Sequence, residues 1–460
     1  MTVMVGDCRE TLQTLADNSV DSIVTDPPYE IGFMGKGWDG SGVANDPTLW
    51  AECYRVLKPG GHVLAFGAAR TYHRMACAIE DAGFEIRDSL HWVYGSGFPK
   101  SHNVSKGIDK AAGTLKVIGK GTAGKTALGQ SSAWNKTNNP HEFDLTEPGS
   151  DDAKRWEGWG TALKPAHEPI VMARKPFAGT VASNVLEHGT GAINIDGARI
   201  GETVETWPAS RSYAPHQKQP GHIGETQTTG PTPSGRWPAN VILTHSTECD
   251  SECAQDCPAR EIDQQSGNRP GASSNSAPAT DKGFTRGAKG LAKENGYNDN
   301  GGASRFYAQP EWAPGDYLAS VYTPKAGKRE RNAGLDGMPY TFSPTMGNGI
   351  GGKEHDPETA TPKQNHHPTV KPVALMRYLI RLVTPPGGLV LDPFLGSGTT
   401  AVAAILEGFE WIGCELTADY LPIIEGRTTN AKRDYPATNT IQNSNNTTQT
   451  QMGLFDRTDQ

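Results

Sequence analysis

The residues with the clearest chemistry are Thr25-Asp26-Pro27-Pro28-Tyr29, directly after the apolar run Val20–Thr25, which reads as a buried strand. Two successive prolines end any regular element there. They also stiffen the loop, which lowers the cost of holding one geometry. Open α/β sheets place their ligands beyond strand ends of this kind. A carboxylate beside a backbone carbonyl suits the activation of an amine on an aromatic ring. Such an amine is a poor nucleophile, because its lone pair is delocalised into the ring. If Asp26 accepts one N–H and the Pro27 carbonyl the other, the nitrogen moves towards sp³ geometry and the lone pair is freed. Tyr29 offers a face on which a flat ring can stack. The competing reading is a strand that ends in an ordinary proline turn.

A second pattern speaks against that plain reading. Leu391-Asp392-Pro393-Phe394-Leu395-Gly396-Ser397-Gly398-Thr399-Thr400 lies between a strand and a helix. Gly396 and Gly398 permit a tight turn and the close approach of a ligand to the backbone. The following helix N-terminus presents free N–H groups. Glu415 ends the next strand, where a carboxylate suits both hydroxyls of a ribose. By itself this pattern leaves two nucleoside cofactors open, because Gly396-x-Gly398-x-x-Ala401 with Glu415 also fits the loose dinucleotide fingerprint.

The elements around these residues alternate between strand and helix. Residues 1–100 run through TVMV, the helix-spaced 8–16, VDSIVT, a helix at 47–57 stopped by Lys58-Pro59-Gly60-Gly61, the strand HVLAFG, a helix from Thr71 and a strand from Phe84. HEPIVMARKP (167–176) reads as one more strand. The rhythm resumes with a helix at 372–383, the strand GLVLDPF, a helix through SGTTAVAAILEG, the strand FEWIGCEL and a last helix from Ala418. This predicts an α/β, doubly wound, mostly parallel sheet whose strands come from both ends of the chain. The expected division is 1–177 as the catalytic half, 178–365 as a large irregular central insertion, 366–430 as the cofactor-binding half, and 431–460 as a disordered polar tail.

Composition bounds the partners. The chain has 460 residues, 54 of them Gly and 33 Pro, so long irregular stretches are expected. Its net charge of −8 does not announce a nucleic acid, so any DNA must meet a local basic surface. No run approaches the roughly 18 apolar residues of a membrane span. No signal peptide is evident, and the seven Cys lack a secreted disulfide spacing. The expectation is a cytoplasmic protein without membrane contact.

With both patterns in view, the chain resembles the amino-methyltransferases of DNA, with Asp26-Pro27-Pro28-Tyr29 as catalytic motif and Phe394-x-Gly396-x-Gly398 as cofactor motif. Their order resembles the beta group of that family. The resemblance covers about 1–175 and 366–428 and is weak across the insertion. It implies a circularly permuted class I fold, S-adenosylmethionine as cofactor in place of a dinucleotide, and duplex DNA as substrate. It further implies a flipped target base, direct in-line transfer, and target recognition by the insertion. By the same resemblance Asp7 stands near the cofactor's adenine and Glu415 on its ribose. Asp392, Phe394, Ser397 and Thr399 line the cofactor, and His367–Pro372 brings Thr369 and Lys371 beside it. Residues 95–101 and 161–169 resemble stretches of phage and prophage members, and the family is linked to restriction-modification. Asp at position 26 favours adenine N6; enzymes acting on cytosine N4 more often carry Ser there. An RNA or protein amino-methyltransferase is a remoter reading.

Three weaker signals remain. His245, Cys249, Cys253 and Cys257 recur every four residues and read either as a structural zinc site or as plain reduced thiols. Lys325, Lys328, Arg329 and Arg331 form the densest basic run, a DNA-phosphate contact or a solvated loop. Gln451-Met452-Gly453-Leu454-Phe455 resembles the peptide that docks bacterial replication proteins on the sliding clamp, or is a chance apolar pair in a polar tail.

Overall fold

In the computed structural model the described residues are 2–32, 37–94, 101–123, 141–205, 234–243, 257–270, 300–307, 328–339, 341–342 and 362–434, with 253 and 326 singly. The chain clusters into two compact units, residues 1–95 with 167–460, and residues 96–166.

The larger unit is built on eight strands: β1 (Thr2–Val5), β2 (Val20–Thr25), β3 (Leu57–Phe66), β4 (Glu85–Val93), β5 (His167–Arg174), β6 (Val241–Leu243), β7 (Leu389–Asp392) and β8 (Glu410–Glu415). Their order across the sheet is β1-β8-β7-β2-β3-β5-β4-β6. Every pairing is parallel except those of β5, which runs antiparallel to both β3 and β4. The C-terminal strands β7 and β8 thus lie between β1 and β2, as expected of a sheet assembled from both chain ends. The stretch 178–365, read from sequence as an insertion, supplies β6 to this same sheet. Its short run Val241–Leu243 carries too little periodicity to announce a strand.

Alternate residues of the central strands feed two apolar cores. Val24, Leu64, Phe66 and Val390 face one side, against α5 (Val373–Val383) and α6 (Thr399–Glu407). Ile23, Val63, Ala65 and Leu391 face the other, with Leu49, Trp50 and Cys53 of α2 (Pro47–Val56) and Met75 and Ile79 of α3 (Tyr72–Asp81). α1 (Cys8–Thr11) follows β1, α4 (Lys328–Arg331) precedes α5 in the chain, and α7 (Leu421–Asp434) follows β8. Capping explains the sharp start of α2: Asp46 accepts from the Thr48 N–H and Pro47 takes a position whose N–H has no helical partner.

One expectation shifts. Lys58–Gly61 does not precede β3 but bulges within it, where the pairing with β2 jumps from Val20↔Leu57 to Ser22↔His62. Gly60 is needed there: its φ is +80°, and a side chain would run into Asn184, whose amide donates to the Pro59 carbonyl at 2.9 Å.

The smaller unit pairs Lys116–Ala123 with His141–Glu147 as an antiparallel hairpin and adds helices Val104–Ala112 and Asp151–Arg155. Buried Asp109 ties it together, accepting from the Thr114 hydroxyl, the Gly149 N–H and the Ser150 hydroxyl.

Candidate active site

A parallel sheet gathers its C-terminal strand ends at one edge. Here that edge carries Asp7 beyond β1, Asp26 beyond β2, Asp392 at the end of β7 and Glu415 at the end of β8. The antiparallel β5 brings its first residues, His167 and Glu168, to the same edge.

Asp392 joins the two motifs. Its buried carboxylate accepts from the Thr25 hydroxyl at 2.5 Å, the Thr400 hydroxyl at 2.5 Å and the Phe394 N–H at 3.0 Å. Thr25 precedes Asp26 and Thr400 follows the Gly-rich turn, so one side chain fixes both loops. Burial raises its pKa to about 6, against these three donors. The resemblance puts Asp392 at the cofactor; in the structure its carboxylate is bonded to Thr25, Phe394 and Thr400 of the two loops.

The Gly-rich turn is shaped by its glycines. Gly396 and Gly398 have φ of +55° and +78°, and a Cβ on Gly396 would lie 2.9 Å from the His367 ring. Burial lowers the His367 pKa to about 3, so this ring is neutral beside the turn, with Nδ1 2.8 Å from the Thr369 carbonyl. Glu415 accepts from the Gly396 N–H at 2.7 Å and the Thr417 N–H at 2.8 Å; burial raises its pKa to about 7. Asp7 is adjacent, since β1 pairs with β8 in the register Val5↔Glu415. Its carboxylate caps α1 through the Arg9 N–H and also holds the Arg9 guanidinium at 2.6 Å. Arg427 was missed in the sequence. It is buried on α7 and donates to the Ser397 carbonyl, the Ser397 hydroxyl and the Thr399 hydroxyl at 2.7, 2.9 and 3.1 Å. The hydroxyls of Ser397 and Thr399 are therefore taken from inside.

The loop Asp26–Tyr29 holds the main surprise. Lys371, expected at the cofactor, buries its ammonium 2.6 Å from Asp26 Oδ2, 3.0 Å from the Tyr29 hydroxyl and 3.5 Å from Glu168. Burial works against this charge, but Asp26 and Glu168 more than offset it and hold the lysine pKa above its usual value. Asp26 is pushed up by burial, with Lys371 pulling it back. The other oxygen, Asp26 Oδ1, is buried and has no hydrogen-bond partner among the described residues. Glu168 accepts from the Tyr29 hydroxyl at 2.7 Å and the Tyr94 hydroxyl at 3.2 Å. The one signal for Glu168 in the sequence was an acid at the head of an otherwise apolar strand.

The weaker signals separate. Arg331 turns inward and donates to the His367 and Asn365 carbonyls, so it braces the loop that carries Lys371 and is not a free phosphate contact. Its neighbour Glu330 is buried and accepts from the Val373 N–H at 2.6 Å. Arg329 is exposed; the Lys328 side chain and Lys325 lie outside the described residues. Cys257 is buried at the start of helix Pro258–Ser266 and Cys253 is half-buried, while His245, Cys249 and Gln451–Phe455 lie outside the described residues. Among the described residues no cluster of three His, Cys, Asp or Glu is placed to hold a metal, and no helix is long and apolar enough to cross a membrane.

Comparisons with known proteins find relatives among DNA methyltransferases. The DNA adenine methyltransferase YhdJ of Escherichia coli (strain K12) is 46% identical over 56 residues, 12% of this chain and 19% of YhdJ. The type II methyltransferase M.HindIII of Haemophilus influenzae (strain ATCC 51907 / DSM 11121 / KW20 / Rd) is 26% identical over 227 residues, 40% of this chain and 61% of M.HindIII. The chain thus matches less than two thirds of the length of these relatives. Among solved structures, the cytosine-N4-specific PvuII DNA methyltransferase aligns at 12% identity and a TM-score of 0.39, covering 94% of this chain and 90% of that one. The profile of the DNA methylase family N6_N4_Mtase matches residues 20–426, a span that takes in Asp26, Lys371, the Gly-rich turn and Glu415, and the chain belongs to that family.

Proposed function

We propose that the protein transfers a methyl group from S-adenosylmethionine to the N6 amine of adenine in duplex DNA. The observation that carries this reading is the split state of Asp26: Oδ2 is held by Lys371, while Oδ1 is buried without a partner among the described residues. A buried acceptor left open costs about 1–3 kcal/mol, and an incoming N–H removes that cost.

The residues of the Gly-rich turn fit the cofactor. A side chain at Gly396 would close the space beside His367, and Glu415 keeps acceptor capacity beyond its two backbone bonds. Phe394, Gly396, Gly398 and Glu415 would hold the nucleoside, with Asp7 at its adenine, the backbone of Ser397 and Thr399 in the turn, and Thr369 at the rim. S-adenosylmethionine supplies, when bound, a methyl group on a positively charged sulfur, which needs no covalent enzyme intermediate.

The chain's own part is to prepare the amine. Asp26 Oδ1 accepts one N–H of the target base and the Pro27 carbonyl accepts the other, which localises the lone pair on nitrogen. Lys371 holds Asp26 in place and opposes its protonation. Tyr29, fixed at its hydroxyl by Glu168 and Lys371, keeps its ring in a constant orientation for stacking. Two features favour adenine: Asp at position 26, and the 46% identity of a 56-residue stretch to an enzyme named for adenine. The test is Asp26→Ala. Methyl transfer to DNA should fall by several orders of magnitude, while S-adenosylmethionine binding by calorimetry stays within about threefold. Transfer close to the wild-type rate would overturn the role of Asp26.

A further inference from the structure

We propose that Arg70 and Arg74 form a phosphate clamp that grips duplex DNA beside the catalytic loop. The inference rests on the reading of DNA as substrate. Arg70 lies in the turn that leaves β3 at the active edge, and Arg74 in the first turn of α3. Both are exposed, and neither guanidinium has a hydrogen bond or an ion pair among the described residues. Thr71, between them, ties the turn to the catalytic loop: its hydroxyl donates to the Tyr29 carbonyl at 2.7 Å. The two cations are therefore anchored one residue and three residues from a direct contact with Asp26–Tyr29.

Local stability does not explain this arrangement. Thr71 occupies the N-cap of α3, where a threonine hydroxyl ordinarily accepts from the helix N–H groups, yet it makes no such bond. That omission costs about 1 kcal/mol. Arg74 stands in the first helical turn, where the helix dipole disfavours a cation. Arg70, in the turn before the helix, adds a second cation, with no acid in Arg70-Thr71-Tyr72-His73-Arg74. A chain of net charge −8 repels DNA as a whole, so uncompensated cations at the active edge are where attraction must come from. A phosphate on each side of the flipped nucleotide is the partner that two such guanidiniums fit.

The experiment measures binding of the full chain to a duplex DNA oligonucleotide across a series of salt concentrations, for the wild type and for Arg70→Gln, Arg74→Gln and the double variant. Each lost phosphate contact lowers the slope of log K against log salt by about 0.9. The double variant should therefore lose about 1.8 of slope and bind all sequences more weakly, with S-adenosylmethionine affinity and melting temperature retained. A double variant with the wild-type slope and affinity overturns the clamp. A wild type that binds no duplex DNA overturns instead the reading of DNA as substrate, and the clamp with it.

Discussion

Replacing Lys371 with Met tests the electrostatics around Asp26. The ammonium is 2.6 Å from Asp26 and 3.5 Å from Glu168, and all three side chains are largely buried. Methionine keeps the bulk and removes the charge, leaving two carboxylates without a counter-ion. Breaking a buried pair in this way costs about 3–5 kcal/mol. Two unit charges near 4 Å in a partly polar interior interact by about 4 kcal/mol, which is consistent. The loss should depend on pH in a definite sense. In the wild type the lysine pKa is raised, so its stabilisation is complete below about 10.4 and fades only above that value. In the variant Asp26 loses the charge that pulled its pKa down, so its folded value rises further above the unfolded value near 4. A carboxyl of that kind favours the folded state while protonated, and this help is lost as pH rises through the folded value. The deficit should therefore be small near pH 4 and full at pH 8. Urea denaturation at several pH values measures it. Adding Asp26→Asn to the variant should recover part of the loss at pH 8, because the orphaned charge is gone. Equal stability of Lys371→Met and wild type at pH 8 would refute the reasoning.

Further tests follow from the same contacts. Glu168→Gln keeps the shape but removes the charge that helps hold Lys371 and accepts from Tyr29 and Tyr94; kcat should fall more than tenfold, with its acid limb shifted, while cofactor affinity is kept. Thr25→Val deprives Asp392 of its donor from β2 and should cost about 1–3 kcal/mol in stability, read from denaturation midpoints. Gly398→Ala forces a side chain into φ +78° and should cost about 1–2 kcal/mol, with weaker S-adenosylmethionine binding by calorimetry.

Both motifs were legible because each combines special backbone residues with a strand end, and strand ends are readable from apolar runs. The doubly wound sheet followed from the same runs. Glu168 was not legible, because its place depends on β5 running antiparallel, and HEPIVMAR carries no mark of direction. The resemblance puts Lys371 at this edge beside the cofactor, and its contact with Asp26 was not legible. Its spacing from the Gly-rich turn says nothing of a reach across to Asp26. Arg331 read as a surface charge because it stands in a basic run, yet carbonyl acceptors draw it inside. Arg427 is one basic residue in a polar helix, and only packing shows that it faces the Gly-rich turn. The bulge at Lys58–Gly61 was hidden because Pro and Gly mark a break without saying whether the strand resumes in the same ladder.

The most direct test of the account is transfer of labelled methyl groups from S-adenosylmethionine to unmethylated duplex DNA, followed by nucleoside analysis. The account predicts label in N6-methyladenine, absent with Asp26→Ala. Label in N4-methylcytosine would contradict the base assignment, and cofactor binding with no methylated base in DNA would contradict the central claim.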